Sequence, residues 1–353
     1  MSELLRILLL GPPGVGKTHL AIGLGRKVTA QGASCLFVPA MGLVAQLIRA
    51  ETEGERGGAI RANGGGAAGS GTVIALLHAN GFPPGAYGAL GAALAPWGEV
   101  HAMAARPFWP GEPWEGLDDW RLLAEDALAW LDQVSPGAPV RAIGHSLGGV
   151  TWFYAALAAP ERFESLVLVE PVFLPPAFLA GLSAGGSAEL LRLPLVRGAR
   201  QRRDHWPDRA AAFAHWRPKP VFARFGDAAL WDYVEAGTVP HPDGRPGVTL
   251  ACPRDWEARI YATPPLDVWD LLPRLTVPTL GLRGALTDTV FPEAWALWQR
   301  LQPGAAFREL PGLGHLLPLE DGAAVGAVIG DWWSAVSGKG RRDGPPEDPL
   351  PPR

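Results

Sequence analysis

The sequence predicts an α/β protein: a mostly parallel sheet with helices on both faces, interrupted by an inserted helical cap. Three observations predict it. From residue 72 onward, short apolar runs alternate with longer amphipathic segments, which is the pattern of β-α units. The runs TVIALLH, SLVLVEP and TLGLRG are almost wholly apolar, as strands covered on both faces must be. Between residues 172 and 265 that rhythm breaks into Pro, Arg and Trp, and then it resumes.

The elements follow in order. TVIALLH is read as a strand, 85–96 as a helix and EVHAMAA as a strand. Residues 117–133 form a helix, PVRAIGH a strand, 147–159 a helix and SLVLVEP a strand. Residues 172–265 are the cap. TLGLRG (279–284), a helix at 292–301, AAFREL and a helix at 320–335 complete the sheet, so the core spans 72–171 and 266–336. The polar, Pro-rich tail at 337–353 reads as disordered. Ahead of this core, residues 1–54 read as a short, incomplete β-α-β-α fragment. The Gly/Ala-rich stretch 55–71 reads as a linker or weak hairpin.

The chain of 353 residues, 48% hydrophobic and 19% charged, supports a sizeable core. A net charge of −4 gives no general attraction to phosphate backbones or anionic membranes, so nucleic acid is not an expected partner. No stretch reaches the ~18 uninterrupted apolar residues of a membrane span. MSELLRILLL is a poor signal peptide. Cys35 and Cys252 stand alone, and no metal site is expected. Together these features fit a cytoplasmic location.

GHSLGG carries the chemistry. Gly144, Ser146 and Gly148 have G-x-S-x-G spacing between a strand and a helix. A nucleophile on so sharp a turn needs small residues two positions to either side, and the helix N-terminus offers free N–H groups to an oxyanion. Ser146 needs a base, and His315 in LPGLGHLLPLE follows the last strand. The base needs an orienting acid. Asp288, just past TLGLRG, is the expected one, and Glu170 at the end of SLVLVE is the fallback. In LLHANGFPPGAY the backbone N–H of Asn80 or Phe82 would join that of Leu147 in an oxyanion hole, with His78 organising the loop. His145 reads as structural, and the other histidines have no motif around them.

On these segments (LLHANGFPPGAYGAL, AIGHSLGG, LVLVEP, GLRGALTDTVF and LPGLGHLLPLE) residues 56–336 resemble the α/β-hydrolase superfamily. The resemblance implies an α/β-hydrolase fold, a Ser146–His315–Asp288 triad and no cofactor. A serine at position 146 argues against dehalogenase or epoxide hydrolase chemistry, in which the nucleophile is a carboxylate. The substrate is left open, because one scaffold serves many chemistries. The cap's mixture of Trp, Phe and Arg is expected to cover an apolar acyl pocket, so the reading is an esterase-like serine hydrolase of a small, apolar acyl substrate.

GPPGVGKT at 11–18 fits the phosphate-loop pattern. With the run through CLFVPAMGLVAQLIRA it resembles the ATP-binding domain of IstB-like transposition helper proteins. The resemblance implies that Gly14 and Gly16 cradle phosphates, Lys17 reaches the β/γ-phosphates and Thr18 ligates Mg²⁺. No Asp precedes Asp118, so the strand-end acid of phosphoryl transfer is missing. Two strands close no sheet of their own. The segment reads as an ATPase remnant, and ATP and Mg²⁺ enter only if that fragment is functional. Two other functions stay open beside the hydrolase: an ATP-binding helper of DNA transposition, and a catalytically silent hydrolase-like binding module.

Overall fold

The alternation of apolar side chains along each strand fills two separate cores. In β1 (Val73–Leu77) Ile74 and Leu76 enter one cluster while Ala75 and Leu77 enter the other, as the two-residue period of a strand dictates. The computed structural model describes residues 71–339, so the 1–54 fragment with its phosphate loop, nearly all of the 55–71 linker and the tail from 340 lie outside the described residues.

After β1 come α1 (Gly88–Leu94), β2 (Glu99–Met103), α2 (Arg121–Val134), β3 (Val140–His145), α3 (Leu147–Ala158) and β4 (Phe163–Val169). An insertion then carries α4 (Pro176–Leu190, broken at Gly186), α5 (Pro194–Gln201), β5 (His205–Trp206) and α6 (Arg209–Trp216). It continues through α7 (Asp227–Gly237), β6 (Thr238–Pro240), β7 (Val248–Leu250) and α8 (Arg254–Ala262). The core resumes with α9 (Val268–Leu271), β8 (Thr279–Gly284), α10 (Pro292–Leu301), β9 (Ala306–Leu310), α11 (Leu317–Glu320) and α12 (Gly322–Lys339). The last helix thus runs three residues into the expected tail.

Six strands pair in the order β2-β1-β3-β4-β8-β9, and every pairing is parallel. Helices α2, α3 and α10 cover one face, and α1 and α12 the other. This is the expected mostly parallel sheet with helices on both faces.

The insertion is mostly helical, as expected, with one addition. It contains a three-stranded antiparallel sheet, β5-β7-β6. Strands of two or three residues are too short to display a period, which is why the sequence concealed them. The cap's aromatic residues pack mainly on each other: Trp216 lies 4.9 Å from both Trp206 and Tyr233, and Phe222 lies 5.1 Å from Tyr233. Phe82 of the core joins them at 5.0 Å from Tyr233. Edge-on and tilted rings at such spacings add about 0.5–1.5 kcal/mol per pair beyond burial.

Helix α3 crosses the sheet at a separation only glycine permits. A Cβ at Gly148 would lie 2.4 Å from the Leu77 carbonyl oxygen, and one at Gly144 would lie 2.3 Å from that of Gly148. Gly148→Ala is therefore expected to cost roughly 1–3 kcal/mol or more by overpacking. Gly181→Ala, where a Cβ meets nothing within 4 Å, should stabilise by about 0.4–1 kcal/mol. Thermal melts of the two variants, with opposite shifts in Tm, check this contrast.

Candidate active site

The strand order fixes where a site can form. From β1 the chain turns outward to β2 and then crosses back to β3, so the helices after β1 and β3 lie on opposite faces. Their loops diverge and leave a crevice at the carboxyl ends of the two strands, the position where open α/β sheets bind ligands. Register places Leu77 opposite Gly144, His145 opposite Val169, and Val169 opposite Leu282. Residues 78–82, Ser146, Glu170 and the loop after β8 therefore converge on one edge.

Ser146 sits on the turn from β3 into α3 with φ 56° and ψ −112°. This left-handed backbone is costly for a residue bearing a side chain. It is over-determined here, because Ser146 N–H donates to the Val169 carbonyl at 2.9 Å and Gly148 N–H to that of His78 at 3.2 Å. The turn thrusts the hydroxyl out of the sheet edge at the start of a twelve-residue helix.

His315 reaches Ser146 from the loop after β9. Its Nε2 lies 3.1 Å from Ser146 Oγ and its Nδ1 lies 3.2 Å from Glu170 Oε2. A carboxylate only accepts, so Nδ1 carries the proton and Nε2 accepts from the serine hydroxyl.

The structure brings Glu170, not Asp288, to this histidine. Glu170 is the first residue past β4, fully buried and itself at φ 49°. Its Oε1 accepts from Gly284 N–H at 2.7 Å, and its Oε2 accepts from Thr287 Oγ at 2.5 Å. Asp288 is exposed, four residues beyond β8, and accepts only a long 3.4 Å bond from its neighbour Thr289. The turn between them points Thr287 inward, which leaves Asp288 facing solvent.

Of the three expected oxyanion donors, Phe82 is spent: its N–H closes a turn onto the Ala79 carbonyl at 3.1 Å. The N–H groups of Leu147 and Asn80 donate to no acceptor among the described residues. Leu147 is the first helical residue, where the N–H has no intrahelical acceptor and the dipole favours negative charge. The Asn80 side chain donates to the Glu257 carbonyl at 3.1 Å, which fixes the loop against the cap.

Two sets of contacts hold this geometry, and apart from His145, expected to be structural, their members were not singled out by the sequence. Ala79 N–H donates to Tyr87 Oη at 2.8 Å, and Tyr87 Oη lies 2.7 Å from His145 Nδ1. His145 Nε2 lies 2.9 Å from the His315 carbonyl. A carbonyl needs a donor, so Nε2 carries the proton and Nδ1 accepts from the tyrosine. Burial and the nearby His315 hold His145 well below the usual histidine range, so it stays neutral. One chain of hydrogen bonds thus ties the residue before Asn80, the elbow and the His315 loop together. In the second set, Glu320 accepts from Gly314 N–H at 2.8 Å and from Arg224 of the cap at 2.9 Å. Only the reach of these residues across 58 and 96 positions reveals them, and no local motif marks them.

Beside the loop of residues 78–82 lies a cavity of about 280 Å³, lined by Phe82, Trp216, Phe222 and Tyr233 together with several charged residues. His215 lines it, while His205 and His241 pair elsewhere in the cap at 2.6 Å. Among the described residues no group of three His, Cys, Asp or Glu is arranged to hold a metal ion. None of the described helices is long and apolar enough to cross a membrane.

Fold and site together define an α/β-hydrolase. The model of the alpha/beta hydrolase family matches residues 74–328, well over half of the chain, and the chain belongs to that family, a class of hydrolases. It is 24% identical over 241 residues to an abhydrolase domain-containing protein, AFT2-1, of Alternaria alternata, covering 57% of this chain and 88% of that one. The crystal structure of E-2-(acetamidomethylene)succinate hydrolase matches with a TM-score of 0.63 at 20% identity, over 75% of this chain and 92% of the other. The N-terminal region matches separately. The model of the IstB-like ATP binding protein covers residues 3–62. A putative ATP-binding protein of insertion sequence IS5376 from Geobacillus stearothermophilus is 55% identical over 49 residues, only 14% of this chain and 20% of that relative.

His78 donates from Nδ1 to the Ala79 carbonyl and accepts Ala105 N–H at Nε2, and burial depresses its pKa to about 4. Below an unfolded-state pKa near 6.5, the unfolded chain binds protons that folded His78 and His145 refuse. Stability should therefore be full above about pH 6.5. It should fall toward pH 4 by about 1.4 kcal/mol per pH unit for each buried imidazole. Urea midpoints between pH 7 and 5 measure this loss, and a flat profile would contradict it.

Proposed function

We propose that the protein is a serine hydrolase that cleaves an ester or related acyl bond of a small substrate. One observation carries the reading: the continuous chain Ser146 Oγ–His315 Nε2 and His315 Nδ1–Glu170, set at a strained strand-to-helix turn. In this reading His315 takes the serine proton as Oγ attacks the acyl carbon, and Glu170 stabilises the imidazolium that forms. The N–H groups of Leu147 and Asn80 receive the developing oxyanion, and the positive end of α3 strengthens that interaction. His315 then returns its proton to the leaving group, and water releases the acyl group by the same steps in reverse. Glu170 takes the role first expected of Asp288, while the chain order Ser, acid, His is kept.

The phosphate-loop string at 11–18 supports a second, separate reading: nucleotide binding by Gly14, Gly16, Lys17 and Thr18. The identity to ATP-binding relatives favours it, but the matched segment covers a fifth of such a relative. The proposed acyl chemistry draws no group from it. Lys17→Ala should leave ester hydrolysis unchanged, and calorimetry with ATP tests binding directly.

A fluorophosphonate probe should label the protein at Ser146. Ser146→Ala should abolish labelling and reduce p-nitrophenyl ester hydrolysis by about 10³-fold or more. Glu170→Gln should cost about 10³–10⁴-fold, as expected when the orienting acid loses its charge, while Asp288→Asn should keep near-normal kcat. Full activity in Ser146→Ala, or a greater loss in the Asp288 variant than in the Glu170 variant, contradicts the assignment.

A further inference from the structure

The cavity beside the Asn80–Phe82 loop keeps the largely apolar wall that the cap's composition suggested, with charge set into it. Its wall carries three permanent cations, Arg202, Arg203 and Lys219, against a single carboxylate, Glu257. Arg202 is ion-paired with Glu257 and donates to Tyr233 Oη at 3.1 Å, so that pair is already matched. Arg203 uses only its Nε, on the His205 carbonyl at 2.7 Å, and rests its plane on Trp206. Half-buried Lys219 has no side-chain partner among the described residues. Exposed Arg203 and half-buried Lys219 therefore face one open groove without a carboxylate partner among the described residues, and a ligand anion would be drawn to them. His215, on the same wall, feels this: burial first, then Lys219, Arg203 and Arg202, lower its pKa below the ordinary value.

The cavity lies beside the loop that carries Asn80, and Phe82 of that loop is part of its wall. A Cβ at Gly81 (φ 76°) would lie 3.5 Å from the Glu257 carboxylate and 3.7 Å from the Arg202 guanidinium, so the cation cluster begins one loop thickness from Asn80. The volume of about 280 Å³ lies at or below the range of drug-sized sites and suits a short chain. We infer that this cavity binds a carboxylate at the far end of the substrate, making the substrate a short-chain ester, thioester or lactone with an anionic tail. Lys219 and Arg203 receive the carboxylate, while Phe82, Trp216 and Phe222 flank its methylenes. The inference rests on the serine hydrolase reading for the reacting end only; anion binding stands independently of it.

Two measurements on the full chain test it. Calorimetric titration with glutarate or adipate should give saturable binding that neutral adipamide does not. Lys219→Met and Arg203→Met should each weaken it at least tenfold, and Lys219→Arg should restore it. Second, mono-p-nitrophenyl esters of dicarboxylic acids should exceed neutral p-nitrophenyl butyrate in kcat/KM by tenfold or more. That ratio should collapse in the double variant and survive in Arg192→Met, a cap arginine outside the cavity. Absence of saturable dicarboxylate binding together with no preference for the anionic ester overturns the inference. So does inorganic phosphate binding more tightly than every dicarboxylate. Loss of fluorophosphonate labelling with dicarboxylate binding intact would instead overturn the hydrolase reading and leave the anion site standing.

Discussion

A single buried carboxylate organises the edge of this sheet. Glu170 has no exposure to solvent, and its carboxylate accepts from three donors in three segments: Gly284 N–H at the end of β8, the Thr287 hydroxyl in the following turn, and His315 after β9. A buried ion keeps its charge only where hydrogen bonds replace its hydration. The loops after β8 and β9 thus have to close around the end of β4. The left-handed backbone at Glu170 is the local strain that this convergence imposes.

On the other side of Ser146 the same work is done without charge. His145 is kept neutral and spends both ring nitrogens on positioning, one toward Tyr87 and one toward the His315 carbonyl. Because Tyr87 also receives Ala79 N–H, the donor loop and the base loop hang from one imidazole. Neutrality matters here: a second charged histidine 5.3 Å from His315 would disfavour the imidazolium that the proposed mechanism requires.

Much of this was legible in the sequence, for physical reasons. Strands buried on both faces must be apolar throughout, so β1, β3, β4 and β8 announced themselves, and TLGLRG and the helix at 292–301 match in their bounds. Ser146 was legible because the elbow demands glycine where backbone meets backbone. The carboxylate that meets His315 was harder. Glu170 and Asp288 both follow a strand, and only the register and the inward turn at Thr287 separate them. Phe82 as a donor failed because its N–H was needed to close its own turn. The cap's small sheet, the Tyr87–His145 link and the cation cluster are products of long-range packing, and a single chain carries no local sign of them. The cap's aromatics pack on each other and still line the cavity, as its composition suggested; what the composition did not show is that two arginines and a lysine share that wall.

Glu320 gives the cap and the base a shared support. Its side chain is only 2% exposed, yet one oxygen accepts both the backbone of the His315 loop and the guanidinium of Arg224. Lifting the cap strips that carboxylate of its cation and loosens its hold on Gly314, one residue from the base. The cap and the histidine are thereby coupled: in the proposed mechanism any displacement of Arg224 reaches His315 through one shared carboxylate.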